Sequence, residues 1–242
     1  MRDMWAPTRA RLVVAVVGEK GTGKTKVVEG LVRALRAKGL KVCTAKHVPE
    51  EDFSLDRPGK DSWRHAEAGA LAVTIVSPGE IDTIRRFRLK EAEFDDIVAL
   101  ASQGCDVLIV EGFSSMAGQR PDVLKVVVVR GPGEAKAIAS EGRFKPILAF
   151  VGPGEAEGLK VPYLGFGEVG SLADRIANMV LKARAKGDTR LFLGPREVPL
   201  NAFVKEVLKR IVLAFASCLK GVDIRGDEDV MVFILGQEGD KG

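Results

Sequence analysis

The sequence predicts an α/β fold in which a mostly parallel sheet is covered by helices on both faces, followed by a small α+β unit at the C-terminus. Two observations support this prediction. The apolar, β-branched runs are near-continuous rather than alternating, which is typical of strands buried on both faces. Helical patterns separate the runs, and a strand, a helix and a strand at this spacing form a right-handed crossover. The strand-like runs occupy residues 11–17, 41–45, 72–76, 106–110, 125–129 and 147–151.

The first helix is predicted between the first two runs, in the stretch TKVVEGLVRALRAKG. Val27, Val28, Leu31 and Leu35 recur there at helical spacing, and Gly39 supplies a C-terminal stop. Further helices are predicted at 61–69, 91–103, 134–140 and 170–186.

The C-terminal part of the chain has a different pattern. The segment AKGDTR at 185–190 has the composition of a linker, so we divide the chain into domains 1–187 and 188–242. The stretch LFLGPREVPL then predicts a hairpin, a long helix follows, and VMVFIL predicts a strand. The helix carries a wide apolar stripe that needs cover, either from the flanking strands or from a second subunit. The stripe consists of Phe203, Val207, Leu208, Ile211, Val212, Phe215, Cys218 and Leu219.

Composition excludes several classes of protein. The apolar runs are shorter than the roughly 20 residues of a membrane span, and the N-terminus lacks the apolar middle of a signal peptide, so we expect a cytoplasmic protein without membrane contact. The 37 basic and 33 acidic residues are interleaved, and this pattern does not indicate nucleic-acid binding. Three scattered cysteines and two histidines indicate neither a disulfide framework nor a transition-metal centre.

The stretch GEKGTGKT, from Gly18 to Thr25, matches the phosphate-binding pattern G-x-x-x-x-G-K-[ST]. A strand precedes it and a helix follows, so domain 1–187 is predicted to be a P-loop NTPase with converging backbone N–H groups. Lys24 would reach the β and γ phosphates, and the Thr25 hydroxyl would ligate Mg²⁺. The pattern does not distinguish ATP from GTP. The expected nucleotide contacts are Gly18, Glu19, Lys20, Gly21, Thr22, Gly23, Lys24, Thr25 and Lys26.

A carboxylate that could complete the metal site lies in DVLIVEGF, which contains Asp106 and Glu111. Five strand steps of about 3.3 Å place Asp106 about 16 Å from Glu111, at the opposite end of the sheet. Phosphates bind at the carboxyl ends of parallel strands, so Glu111 is chosen. It would ligate Mg²⁺ through water or orient an attacking water, and capping of a loop is the alternative. Gly112 would let the backbone approach the γ phosphate.

The segment DFSLDRPGKDSWRHAEAGA at 52–70 is a second candidate site. Pro58 and Gly59 predict a turn, and Asp61 is expected to cap a helix that starts at Ser62. The segment follows the second strand, so we expect it near the phosphate loop. A plain capped helix explains these residues equally well.

Charged side chains give this segment its possible chemistry. Asp56 and Asp61 could share the magnesium shell, and His47 could contact a ligand at the same edge of the sheet or simply be a surface residue. Cationic groups that could meet phosphate are Arg57, Lys60 and Arg64.

Four stretches together resemble the MobB family, molybdopterin-guanine dinucleotide biosynthesis protein B. They are GEKGTGKT, KH at 46–47, DRPGKDSWRHAEAGA at 56–70 and DVLIVEGF, and the resemblance spans residues 11–180. It implies a GTP-binding, weakly GTP-hydrolysing protein, usually a homodimer. Such a protein assists the guanylyltransferase MobA in attaching GMP to molybdenum-bound molybdopterin.

The resemblance also favours a γ-phosphate switch over a plain capped helix at 56–62. The implied catalytic residues are Lys24, Glu111 and Asp61, and the implied metal ligands are Thr25, Asp56 and Glu111. Added nucleotide contacts are Arg57, Pro58, Gly59, Lys60, Ser62 and Gly112.

The chain departs from the family pattern in three places. Ser114 and Ser115 follow EGF where the family often has lysine, and basic residues return only at Arg120 and Lys125. The stretch GPGEAEG follows the last predicted strand, where a Thr-Asp type loop is expected, so the preferred base is left open. Residues 190–242 resemble an extension of archaeal members.

Two alternative functions remain open from the sequence. One is a phosphotransferase or an ATP/GTP-dependent ligase that acts on a small cofactor precursor. The other is a metal-insertion GTPase of the nickel-chaperone type, against which the lack of Cys and His clusters argues.

Overall fold

The computed structural model describes residues 10, 12–50, 53–85, 93–186, 189–193, 196–220, 230 and 232. These divide into two compact units, Met1–Lys182 and Ala183–Gly242. The predicted domain boundary at 187/188 falls outside the described residues and stays a prediction. None of the helices in the described part of the chain has the length and apolar character needed to cross a membrane.

The first unit alternates strands and helices. In chain order the elements are β1 (Leu12–Val17), α1 (Lys24–Ala37), β2 (Val42–Lys46), α2 (Asp61–Glu67), β3 (Ala72–Val76), β4 (Ile81–Arg85), α3 (Phe94–Ala101), β5 (Val107–Glu111), α4 (Ser114–Ala117), β6 (Val123–Val128), α5 (Pro132–Glu141), β7 (Ile147–Val151), β8 (Tyr163–Leu164), a 3₁₀ turn (Phe166–Glu168) and α6 (Val169–Lys186). Six strands form one parallel sheet in the order β2-β5-β1-β6-β7-β8.

Helices cover both faces of this sheet, as the sequence predicted. In β1, Val14 and Val16 pack with α1 and α6, while Ala15 and Val17 pack with α3, α4 and α5. The strand is fully buried from Val14 to Val17, which explains its unbroken apolar sequence. Close packing of α1 on α6 depends on Gly30, because a Cβ there would lie 3.2 Å from Val169.

The prediction of a buried parallel strand at 72–76 is wrong. This segment is β3, which pairs antiparallel with β4 in a separate two-stranded sheet. A tight turn, closed by the Ser77 N–H donating to Glu80 O at 2.8 Å, brings β4 next to it. Ile75, Val76 and Ile81 are exposed. An apolar run indicates that a strand forms but not which strand pairs with it. Here the short turn between β3 and β4 determines the pairing.

Helix predictions agree with the structure apart from their ends. The helix predicted at 91–103 spans Phe94–Ala101, and residues 91 and 92 lie outside the described residues. The two-residue strand β8 was missed because it is too short for an apolar pattern.

The second unit contains the predicted hairpin and helix. Strands β9 (Leu191–Leu193) and β10 (Arg196–Val198) pair antiparallel, and α7 spans Ala202–Ser217. The Asn201 side chain caps α7 by accepting from the Val204 N–H at 2.9 Å. Phe203, Ile211 and Phe215 of the predicted stripe are exposed. The strand predicted from VMVFIL lies outside the described residues except for 230 and 232.

Candidate functional site

The predicted phosphate loop, Gly18–Thr25, connects β1 to α1 and contains glycines that other residues could not replace without strain. Gly18 has φ 147°, and a Cβ there would lie 2.2 Å from the Val128 carbonyl oxygen. Gly23 is the left-handed N-cap of α1, with φ 95°. The loop therefore turns within van der Waals distance of β6 and leads directly into the positive end of α1.

The Lys24 side chain folds back over this loop. Its Nζ donates to Gly18 O at 3.0 Å and to Glu19 O at 2.6 Å. The Thr22 hydroxyl also donates to Glu19 O, at 3.0 Å. Both carbonyls lie in the loop at the start of α1, so a bound phosphate could replace them as the hydrogen-bond partner of the ammonium group.

The loop is also tied to the strand beside it. Arg130, which follows β6, forms an ion pair with the Glu19 carboxylate at 2.7 Å. Both side chains are more than half exposed, so the pair contributes little to stability.

Glu111 and Thr25 meet at the carboxyl end of β5. The register of β5 with β1 places Glu111 beside Val16, and its side chain is only 11% exposed. The Thr25 hydroxyl donates to Glu111 Oε1 at 2.9 Å, and Lys46 Nζ lies 3.5 Å from the same oxygen. Two elements of the sheet and the first turn of α1 thus converge on one carboxylate oxygen.

This pair fits a magnesium site. Cis ligands of an octahedral Mg²⁺ with bonds of about 2.1 Å lie about 3.0 Å apart, close to the 2.9 Å between these oxygens. Among the described residues, no three His, Cys, Asp or Glu side chains converge. Thr25 and Glu111 would supply two of the ligands of a bound Mg²⁺, and phosphates and water usually supply most of the others.

Asp106 lies at the opposite end of β5. Its backbone oxygen accepts from the Leu12 N–H at 3.3 Å, and its Oδ2 accepts from the Lys41 N–H at 2.8 Å. These contacts connect the starts of β1, β2 and β5. The position agrees with the strand-step argument that chose Glu111.

The turn after Glu111 contains an unusual backbone conformation that the sequence did not indicate. Gly112 and Phe113 have φ values of 87° and 57°, and Phe113 is the one non-glycine with positive φ in the described part of the chain. The centroid of the buried Phe113 ring lies 5.3 Å from that of the His47 ring and 5.9 Å from that of the Phe94 ring. Burial of the ring compensates for the left-handed backbone, which costs on the order of 1 kcal/mol.

His47 supports the same turn. Its backbone N–H donates to the backbone oxygen of Glu111 at 3.0 Å, and its Cβ lies 3.3 Å from the position that a Cβ on Gly112 would take. Its ring lies against Phe113, so the structure gives it a packing contact beside the candidate metal site.

The second candidate segment folds differently from the prediction at its helix start. Helix α2 begins at Asp61, the N-cap is Lys60, and no side chain caps it, so the expected Asp61 cap is wrong. Asp61 instead lies in the first turn, 89% exposed, with Arg64 at 3.8 Å. An acidic side chain in the first turn interacts favourably with the helix dipole without acting as a cap. The sequence alone does not distinguish a helix that starts at residue 61 from one that starts at residue 62.

Asp56 organises the turn before α2. Its Oδ1 accepts from the Ser62 hydroxyl at 2.9 Å and from the Arg57 N–H at 2.9 Å. The Lys60 N–H donates to Arg57 O at 3.3 Å. Arg57, Pro58, Gly59 and Lys60 are exposed.

A family model now decides the class of the protein. The model described as MobB, molybdopterin guanine dinucleotide synthesis protein B, matches residues 13–152, more than half of the chain. The chain belongs to the MobB family. The matched region contains the phosphate loop, Glu111 and the segment at 56–62.

Two curated relatives are named as adapter proteins of molybdopterin-guanine dinucleotide biosynthesis. The molybdopterin-guanine dinucleotide biosynthesis adapter protein of Escherichia coli (strain K12) is 34% identical over 122 residues, 49% of this chain and 65% of the relative. The adapter protein of Haemophilus influenzae is 32% identical over 102 residues, 42% of this chain and 56% of the relative. The chain thus spans less than two thirds of each relative's length.

Solved MobB structures share the fold. A crystal structure of molybdopterin-guanine biosynthesis protein B is 27% identical, with a TM-score of 0.54, and covers 70% of this chain and 99% of its own. Bacillus subtilis MobB, at 20% identity and a TM-score of 0.53, covers 69% of this chain and 97% of its own and shows the fold alone.

The basic residues downstream of the MobB motif EGF have structural contacts in this chain. Arg120 pairs with Asp95 and Asp122 at 2.9 and 2.8 Å. Lys125 is fully buried, and its Nζ donates to the carbonyls of Arg120, Val123 and Lys145. Lys125 Nζ is therefore held at the edge of the sheet opposite the phosphate loop, because Arg120 and Lys145 precede β6 and β7 and Val123 is the first residue of β6.

The pKa of Lys125 depends on its burial, and this makes the free energy of unfolding depend on pH. Burial lowers its pKa from the ordinary 10.5 to about 8, while the Asp122 carboxylate opposes this change. Between those two values the unfolded chain binds more protons than the folded one, so the free energy of unfolding rises with pH in this window.

We expect Lys125→Met to lower the free energy of unfolding by on the order of 2–4 kcal/mol at neutral pH, because it leaves buried carbonyls unsatisfied. The deficit relative to wild type should widen between pH 8 and pH 10. Urea unfolding at several pH values measures it, with exposed Lys136→Met as the control. A deficit that narrows with pH would contradict the pKa assignment.

The GPGEAEG stretch forms a loop after β7 whose first residue is closely packed. A Cβ on Gly152 would lie 2.6 Å from Val129 O and 2.8 Å from the Tyr163 hydroxyl. That hydroxyl donates to Pro153 O at 2.7 Å, and burial raises the pKa of Tyr163. The loop is thus anchored at its start, while Glu155 and Glu157 are exposed.

Proposed function

We propose that this protein binds GTP with Mg²⁺ at Gly18–Thr25 and assists the guanylyltransferase MobA in attaching GMP to molybdopterin. The 2.9 Å pairing of Thr25 with Glu111, beside a glycine loop that holds Lys24 on exchangeable carbonyls, is the observation that carries the proposal. Family membership supports the biosynthetic role, because MobB relatives are named as adapter proteins of molybdopterin-guanine dinucleotide biosynthesis.

In this proposal the loop and Glu111 divide the binding of phosphate and metal between them. Lys24 exchanges Gly18 O and Glu19 O for the β and γ phosphates, and the loop N–H groups bind phosphate oxygens. Thr25 and Glu111 would hold Mg²⁺, which would neutralise phosphate charge. The buried Glu111 carboxylate would ligate the ion directly or through water, or would orient the water that attacks the γ phosphate in slow hydrolysis.

The segment at 56–62 is proposed as the switch that senses the γ phosphate. This proposal is supported by the Asp56 carboxylate, which accepts one hydrogen bond from the Ser62 hydroxyl and one from the Arg57 backbone N–H. Asp56 can exchange these hydrogen bonds, and Asp61 its exposed ion pair with Arg64, for the magnesium shell. Exposed Arg57 and Lys60 can exchange water for phosphate. We further propose that the protein acts as a homodimer.

A reconstituted transfer assay tests this function. GMP transfer by the guanylyltransferase to molybdopterin is measured with and without this protein, with Mg²⁺ and GTP present. We expect several-fold stimulation by wild type and none by Lys24→Ala. Equal stimulation by both proteins would contradict a nucleotide-dependent role. Phosphate appearing on a small acceptor without the guanylyltransferase would instead establish a phosphotransferase.

A further inference from the structure

An aromatic ring lies against the phosphate loop on the side away from Glu111. Phe166 belongs to the 3₁₀ turn that follows β8, and its ring atoms lie 3.0 and 3.2 Å from the position of a Cβ on Gly23. Lys26 Nζ lies 5.3 Å from the ring centroid. The ring packs on the cluster of α1 and α6 but is only partly buried. One region of the ring surface therefore remains available.

The sheet order gives the two sides of the loop different roles. β5, which carries Glu111, lies on one side of β1, and β6, β7 and β8 lie on the other. Thr25 and Glu111 mark the metal end, where the terminal phosphates belong. Since the metal end faces β5, the side of the loop that faces the ends of β7 and β8 is left for the base. Phe166 places an aromatic ring against the loop on that side.

The polar groups around the ring fit a nucleoside better than an apolar ligand. Lys26, in the first turn of α1, places its ammonium group over the ring face. The Glu168 carboxylate accepts from the Gly165 N–H at 2.7 Å in the same turn. An apolar surface with a few fixed polar groups at its rim is typical of sites for small molecules.

We propose that the Phe166 ring is the surface on which the base of the bound nucleotide stacks, and that the Lys26 ammonium moves from the ring face to the α-phosphate and ribose end. The proposal rests on nucleotide binding at Gly18–Thr25. Every base has a π face, so stacking strengthens binding without selecting guanine over adenine. Selection between these bases must then come from groups other than the ring.

Phe166→Leu tests the stacking, because leucine keeps apolar bulk against Gly23 and removes the π face. Affinities for Mg·GTP, Mg·ATP and Mg·tripolyphosphate are measured by calorimetry for wild type, Phe166→Leu and Phe166→Tyr. We expect Phe166→Leu to weaken GTP and ATP binding by about the same factor, roughly 5- to 30-fold. Tripolyphosphate, which has no base, should bind unchanged, and tyrosine should restore nucleotide affinity.

Each other outcome is decisive. Equal weakening of tripolyphosphate by Phe166→Leu would show that the ring only supports the loop, and this would overturn the proposal. Unchanged affinity for all three compounds would place the base elsewhere and overturn it as well. Failure of the wild-type protein to bind any of the three would overturn the proposed function itself. Thermal unfolding of the variants confirms that they remain folded.

Discussion

Replacing Lys24 with alanine should abolish measurable binding of Mg·GTP, a loss of at least about 100-fold, and leave the domain folded. The ammonium is the one charge of the loop that the pattern assigns to the β and γ phosphates, and charge-assisted bonds to phosphate are strong. Its described contacts are two loop carbonyls rather than core residues, so its removal does not open a cavity. Calorimetry measures binding, and thermal unfolding monitors the fold.

A matched control separates this local effect from the loss of a positive charge. Lys182→Ala makes the same change at an exposed position on α6 and should leave the affinity for Mg·GTP within about twofold, because exposed distant charges are screened. Tight binding retained by Lys24→Ala would refute the P-loop assignment.

Replacing Glu111 with glutamine should reduce single-turnover GTP hydrolysis by at least about 10-fold and raise the Mg²⁺ concentration needed for half-maximal GTP binding. The amide still accepts from Thr25, so the hydrogen bond at 2.9 Å is preserved while the charge that holds the metal is removed. Lys46 also loses its partner, which adds uncompensated positive charge beside the site.

Asp106→Asn is the control for this change, since it alters the same functional group on the same strand at its other end. Asparagine can still accept from the Lys41 N–H, so the fold should be retained. Hydrolysis that falls equally in both variants, or in neither, would show that Glu111 has no special role at the metal site.

The central part of the fold could be predicted because its residues obey local rules. β1 and β5 are buried on both faces and read as unbroken apolar runs, and the loop between β1 and α1 has a spacing that few other structures require. Counting strand steps was enough to choose Glu111 over Asp106, because direction along a strand is fixed by the sequence.

Features that depend on distant partners could not be predicted. The left-handed Phe113 and the burial of Lys125 are each determined by residues that meet only in the folded chain. The hairpin of β3 and β4 is local, but an apolar run does not indicate which strand pairs with it. Phe166 is separated from Gly23 by more than half of the chain, and nothing in the local sequence indicates that its ring touches the loop. Tertiary context overrides local pattern at these positions.

Calorimetric titration of the wild-type protein with GTP and with ATP, each with and without Mg²⁺, tests the central claim most directly. We predict saturable binding of one nucleotide per chain that strengthens with Mg²⁺ and favours GTP. Absence of binding, or binding that Mg²⁺ does not strengthen, would contradict the assignment of Thr25 and Glu111 to a metal–phosphate site. Equal affinity for ATP would leave that site in place and contradict the role proposed for GTP.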